Sequence, residues 1–216
     1  RRQRQMCIRD SSITVYNMEK EVVSKTPFHV DWDVSSAEKG GYEHFMFKEI
    51  MEQPEAIRKT ISPRLKNGKI VLDDVSLSKE DLEKISKIVV LACGSAYHVG
   101  MNAKYILEKI ARIPVEVDLA SEFRYRDPII DESVLVLVIS QSGETADTLA
   151  ALREAKRLGA RVISIVNVVG SSIANDSDDV LYTWAGPEIA VATTKAYSTQ
   201  LAVVYLLALY LGEKRN

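Results

Sequence analysis

Cysteine is scarce in this 216-residue chain: Cys7 and Cys93 are the two present, too few for a disulfide framework. A reducing, cytoplasmic setting is therefore expected. Excess charge of either sign is also lacking, with a formal net charge of −2, which argues against a nucleic-acid surface. No apolar run reaches the roughly 20 residues that cross a bilayer; the longest late one, "LAVVYLLALYL" at 201–211, is too short. The charged N-terminus is followed by no apolar stretch of the kind a signal peptide carries. Neither a G-x-x-x-x-G-K-[ST] loop nor a G-x-G-x-x-G loop after a strand is found, so nucleoside triphosphates and dinucleotides are poor candidates. No cofactor or metal is implied.

What is there suits one globular core: 46% hydrophobic and 27% charged residues. The opening "RRQRQMCIRD", with residue 11, reads as an arginine-rich disordered arm or else as foreign sequence joined to the natural chain (1–11). "SITVYNMEKEVVS" alternates around a polar turn at Asn17–Lys20 and predicts a β-hairpin, followed by a polar linker to residue 40. Residues 41–79 read as a helical connecting segment in which Pro54 ends one helix and opens another. Ser78 is expected to cap a short helix with Glu80 and Asp81 in its first turn.

From about residue 80 the pattern changes. "KIVVLA", "VEVDLA", "VLVLVIS", "RVISIVNV" and "DDVLYTW" are short apolar strands, separated by helical segments. Strands apolar on both faces that alternate with helices predict an α/β fold. The expectation is a three-layer α/β/α sandwich on a mainly parallel sheet of about five strands over 80–216. Ligands of such sheets bind beyond the carboxyl ends of the strands. Three loops land there: "ACGSAY" (92–97), "SQSGET" (140–145) and "NVVGSS" (167–172). A fourth segment, "PEIAVATTKAY" (187–197), leads into the last helix.

"SQSGET" offers three hydroxyls, the Gln141 amide and a glycine where a buried strand meets a helix start, a place that favours an anion. With no Lys or Arg in the loop, a phosphate monoester held by dipoles and hydroxyls fits. The plainer reading is that Ser142 caps the helix and Gly143 makes the turn. Cys93 stands where a thiolate would be stabilised, yet buried structural cysteines are common. His98 reads as a packing or pocket-wall residue. Lys195 reads as a sugar or carboxylate contact, or else as a solvent-facing lysine. "SEFRYRDP" (121–128) reads as a charged surface or subunit-contact loop.

Together, "ACGSAYHVG", "ASEFRYRDP", "SQSGETADTLAALREAK" and "EIAVATTKAYSTQ" resemble the glucosamine-6-phosphate synthase family, as does "GGYEHFMFKEIMEQPEAIRKTI" upstream. The resemblance runs from Ser12 to the end. It implies an enzyme with a glutaminase domain and two sugar isomerase (SIS) domains. Such an enzyme converts fructose 6-phosphate and glutamine to glucosamine 6-phosphate and glutamate, and commonly works as a homodimer. On this resemblance residues 12–40 match the end of the glutaminase domain and 80–216 match the first SIS domain. The glutaminase and second SIS domains are missing partners, and no catalytic residue is carried over. What carries over is sugar-phosphate binding by Ser140, Gln141, Ser142 and Thr145 at the phosphate, and by Cys93, Gly94, Ser95 and Val191 around the sugar. One departure stands out: the family often has Thr-Ser after Cys-Gly, whereas here Ser95 is followed by Ala96. The rival expectation is a non-catalytic sugar-phosphate sensor of a regulator, against which the acidic, polar upstream segment speaks. Neither expectation involves nucleic-acid binding by this chain or a membrane.

Overall fold

In the computed structural model, residues 14–24, 26 and 38–215 are described. The arginine-rich arm and most of the linker lie outside them. Two compact units divide the chain, residues 1–32 and 33–216. In the first, β1 (Val15–Tyr16) pairs antiparallel with β2 (Val22–Val23). The Asn17 side chain closes this hairpin, accepting the Glu21 N–H at 2.8 Å.

The second unit begins with α1 (Phe45–Ile61), a single helix that runs through Pro54. This corrects the expected break. Proline has no N–H to give to the carbonyl four residues back. That carbonyl, of Ile50, instead accepts Gln53 Nε2 at 3.1 Å. A short 3-10 turn and the hairpin β3 (Leu65–Lys66) and β4 (Lys69–Ile70) follow. Ser78 then caps α2 (Lys79–Lys84) through a reciprocal box with Asp81. The Ser78 hydroxyl, and next its N–H, hold the Asp81 carboxyl below the usual carboxylate range.

Five parallel strands form the sheet: β5 (Lys87–Ala92), β6 (Val115–Leu119), β7 (Val134–Ser140), β8 (Arg161–Val166) and β9 (Asp179–Tyr182). Their spatial order is β6-β5-β7-β8-β9. Side chains alternate between two cores. Ile88, Val90, Leu135, Leu137, Ile139, Ile163 and Ile165 point to one. Val89, Leu91, Val134, Val136, Val138, Val162 and Val166 point to the other. The first core is closed by α3 (Ser95–Ile110) and α7 (Lys195–Arg215), with α1 packed on α7. The second is closed by α4 (Ala120–Phe123), α5 (Ala146–Arg157) and α6 (Ser172–Asp176).

The sheet is thus a three-layer α/β/α sandwich, as the strand pattern predicts. α4 and α6 are additions: both are too short to show a helical period. The chain moves outward from β5 to β6, then returns to the other side of β5 with β7. That reversal opens a crevice between the carboxyl ends of β5 and β7. "ACGSAY" and "SQSGET" are the loops that meet there.

Candidate functional site

Each of the two loops ends a buried strand and starts a helix. After β5, Gly94 takes φ +59° as the N-cap residue of α3, a conformation that favours glycine. No side chain caps α3. After β7, Ser140 begins a turn to Thr145, the N-cap residue of α5, which also has no side-chain cap. Apart from the Tyr97 N–H, which donates to the Gly94 carbonyl at 3.1 Å, the first-turn N–H groups of both helices therefore keep their capacity for an acceptor.

Within the second loop, Ser140 Oγ accepts the Gly143 N–H at 3.1 Å and lies 3.1 Å from Thr145 Oγ1. Ser142 Oγ accepts the Glu144 N–H at 3.2 Å. One hydroxyl hydrogen bridges Ser140 and Thr145, so the other of that pair and the Ser142 hydrogen are left to donate outward. Ser142 braces the loop and is not the cap of α5, which corrects that half of the plainer reading, while Gly143 does make the turn. Gly143 is constrained twice. Its φ is +65°, and a Cβ there would lie 2.0 Å from Ser171 Oγ.

The loop is held from behind by "NVVGSS". Asn167 N–H donates to the Gln141 carbonyl at 3.1 Å and Ile173 N–H to the Gly143 carbonyl at 3.0 Å. Ser172 N–H donates to Glu144 Oε1 at 2.8 Å. "NVVGSS" is thus a support and none of its residues lines the cavity, contrary to its expected place on the site edge.

The crevice holds a cavity of about 240 Å³. Cys93, Gly94, Ser95, Ser140, Gln141, Ser142, Thr145 and Val191 all line it. Sequence reasoning did not single out Ile139, Glu188, Ala190, Thr193 or Gln200, which line it too. Gln200 reaches it from the second turn of α7, and no loop motif marks it. Ala96 also lines the cavity, where a hydroxyl-bearing residue would have added a donor.

Glu188 brings a carboxylate to this wall, but its acceptors are engaged. Oε1 accepts the N–H groups of Thr194 at 2.9 Å and Ala196 at 3.2 Å. Oε2 accepts the Thr193 hydroxyl at 2.9 Å. Glu188 thereby neutralises the positive end of α7, leaving those of α3 and α5 for a ligand. Among the described residues, no Lys or Arg lines the cavity. Lys195 is neither a site residue nor solvent-facing: it is 3% exposed and pairs with Glu52 at 2.6 Å. His98 is exposed and outside the cavity, its ring edge-on to Tyr97. In "SEFRYRDP", Arg126 pairs with Glu116 at 2.6 Å and also with Asp118, while Arg124 lies over the Tyr125 ring.

A doubly covered parallel sheet with a hydroxyl-lined crevice at its switch point defines the class. The chain belongs to the SIS domain family, whose model matches residues 81–210. Its relatives are more particular. It is 62% identical over 205 residues to the glutamine–fructose-6-phosphate aminotransferase (isomerizing) of Clostridium acetobutylicum, covering 94% of this chain and 34% of that protein. The enzyme of the same name from Caldanaerobacter subterraneus is 60% identical over 210 residues, covering 97% of this chain and 34% of that protein. Among solved structures, the C-terminal domain of the Francisella tularensis glucosamine-fructose-6-phosphate aminotransferase superposes with a TM-score of 0.77 at 46% identity. That match covers 83% of this chain and 50% of the other. The chain thus spans about a third of the length of the curated relatives it matches.

Proposed function

We propose that the crevice binds a hexose 6-phosphate, and that this chain supplies sugar-phosphate binding to a glutamine–fructose-6-phosphate aminotransferase. The overall reaction would take fructose 6-phosphate and glutamine to glucosamine 6-phosphate and glutamate. The observation that carries the reading is the meeting of two uncapped helix N-termini with the hydroxyls of Ser95, Ser140, Ser142 and Thr145 around one cavity. A phosphate dianion there would accept from first-turn N–H groups and from the free hydroxyl hydrogens. Cys93, Gly94 and Val191 would flank the sugar. Ala96 leaves the α3 side of the anion site to the Ser95 hydroxyl and backbone N–H groups. Nothing in the cavity forms a paired acid and base free to move protons, since Glu188 is committed to the start of α7. Binding without turnover is therefore the role proposed for these residues, with glutaminase and second SIS domains completing a cytoplasmic enzyme.

Calorimetry tests this reading. Fructose 6-phosphate should bind and fructose should not. Thr145→Ala or Ser142→Ala should each weaken binding by about 1.5–3 kcal/mol, the worth of a hydrogen bond to a charged acceptor. Equal binding of the sugar and its phosphate would refute the assignment.

The family resemblance also supports a homodimer, and α1 offers a surface for it. Met46, Phe47, Ile50 and Met51 stand exposed in one stripe of that helix, an arrangement that marks association surfaces. Sedimentation should give twice the chain mass, reduced by Phe47→Glu. A monomer at all concentrations would contradict the proposal.

A further inference from the structure

α1 turns its polar side inward. Glu49, Glu52 and Gln53 all reach the chain between β9 and the first turn of α7. Glu52 meets Lys195, and Gln53 accepts the Ser198 hydroxyl. Glu49 is 2% exposed. Its Oε1 accepts the N–H groups of Ile189 at 2.6 Å and Ala190 at 3.1 Å. Its Oε2 is buried with no hydrogen-bond partner among the described residues.

A buried carboxylate with one idle oxygen is unfavourable for stability, because its lost hydration is only half replaced. The two N–H groups it holds show what it does. Ala190 lines the cavity and Val191 follows it, 105% exposed relative to an isolated residue. Glu188 fixes the chain at 193–196. Asn167 fixes Gly186, with Nδ2 2.7 Å from its carbonyl. Between these anchors, the hydrogen bonds to residues 189–192 among the described residues are those made by Glu49.

We infer that Glu49 is a positioning residue that sets the sugar-facing wall of the cavity and so governs recognition of the sugar more than of the phosphate. This rests on the sugar-phosphate reading above. The anion site is built from the loops after β5 and β7, which Glu49 does not touch. Releasing 189–192 should loosen one wall while leaving the anion site in place. The segment upstream of the sheet thereby becomes part of the binding site's support.

The test compares the full chain with Glu49→Ala and Glu49→Gln, using fructose 6-phosphate and inorganic phosphate as probes. Glu49→Ala should weaken fructose 6-phosphate by about tenfold or more, since it removes two hydrogen bonds to a charged acceptor. Its affinity for inorganic phosphate, read by phosphorus NMR line broadening, should not change. Glu49→Gln keeps an oxygen acceptor and should recover most of the loss. Wild-type affinity in Glu49→Ala, or equal loss of both ligands, would overturn the inference. Hydrogen exchange on the unmodified chain gives a check independent of variant folding. The Ile189 and Ala190 amides should be protected, and more so with fructose 6-phosphate bound; exchange at the rate of a free peptide would overturn the inference. Failure of the unmodified chain to bind fructose 6-phosphate would instead remove the sugar-phosphate reading itself, and this inference with it.

Discussion

Gly143→Ala is expected to weaken hexose 6-phosphate binding by about 100-fold and to lower the thermal midpoint. At φ +65° an alanine is strained, at a cost of about 1–3 kcal/mol. Its methyl group would also lie 2.0 Å from Ser171 Oγ and 2.5 Å from Ser171 Cβ, so the loop or α6 must move. Movement breaks the Gly143 N–H bond to Ser140 Oγ and the Gly143 carbonyl bond from Ile173. The hydroxyls that meet the phosphate are displaced together. A combined penalty near ~3 kcal/mol corresponds to a loss of about 100-fold in affinity. The double variant Gly143→Ala with Ser171→Gly removes the clash and keeps the strained φ, so it should recover part of the binding. Wild-type affinity in the single variant would show that this loop does not hold the ligand.

Asn167→Leu should be the most damaging change outside the cavity. Asn167 is 3% exposed. Its Oδ1 accepts the Thr183 hydroxyl and the Ala185 N–H, each at 2.9 Å. Its Nδ2 donates to the Gly186 carbonyl. Leucine fills a similar volume and leaves the buried Thr183 hydroxyl and Ala185 N–H, and the part-buried Gly186 carbonyl, unpaired. At about 1–3 kcal/mol for each unsatisfied group, the loss should be roughly 3 kcal/mol or more. Urea denaturation would show a midpoint shifted down with little change in slope. An unchanged midpoint would mean that water replaces the amide, and that the β9–α7 chain is not anchored as described.

How much of this was legible beforehand depends on the kind of signal. The three central strands, β5, β7 and β8, were legible because each is buried on both faces, as the sheet's two cores demand, whereas the edge strands β6 and β9 showed as short β-branched stretches buried mainly on one face. The eight residues named from the sequence all line one cavity: seven because β5 and β7 are neighbours at the switch point, and Val191 because the segment before α7 passes over them. Pro54 misled because propensity cannot see that Gln53 serves the orphaned Ile50 carbonyl, or that Ala56 and Thr60 bury the second half of α1. Lys195 misled, and Glu188 went unmarked, for another reason. Each is a charged residue near the start of α7, and only its partner, Glu52 or the first-turn N–H groups, reveals that it is spent on structure. Glu49 lies within the upstream "GGYEHFMFKEIMEQPEAIRKTI" stretch, but nothing in its local chemistry marks it as part of the site. Its role depends on α1 crossing α7, which no local spacing encodes.

The central claim is that the loops after β5 and β7 form one phosphate site. Backbone amide shifts of the isotopically labelled chain, titrated with fructose 6-phosphate and with fructose, test it most directly. The account predicts large shifts at residues 94–96 and 141–146 with the phosphate ester and none there with the free sugar. Shifts confined to other parts of the chain, or the same shifts with both sugars, would contradict it.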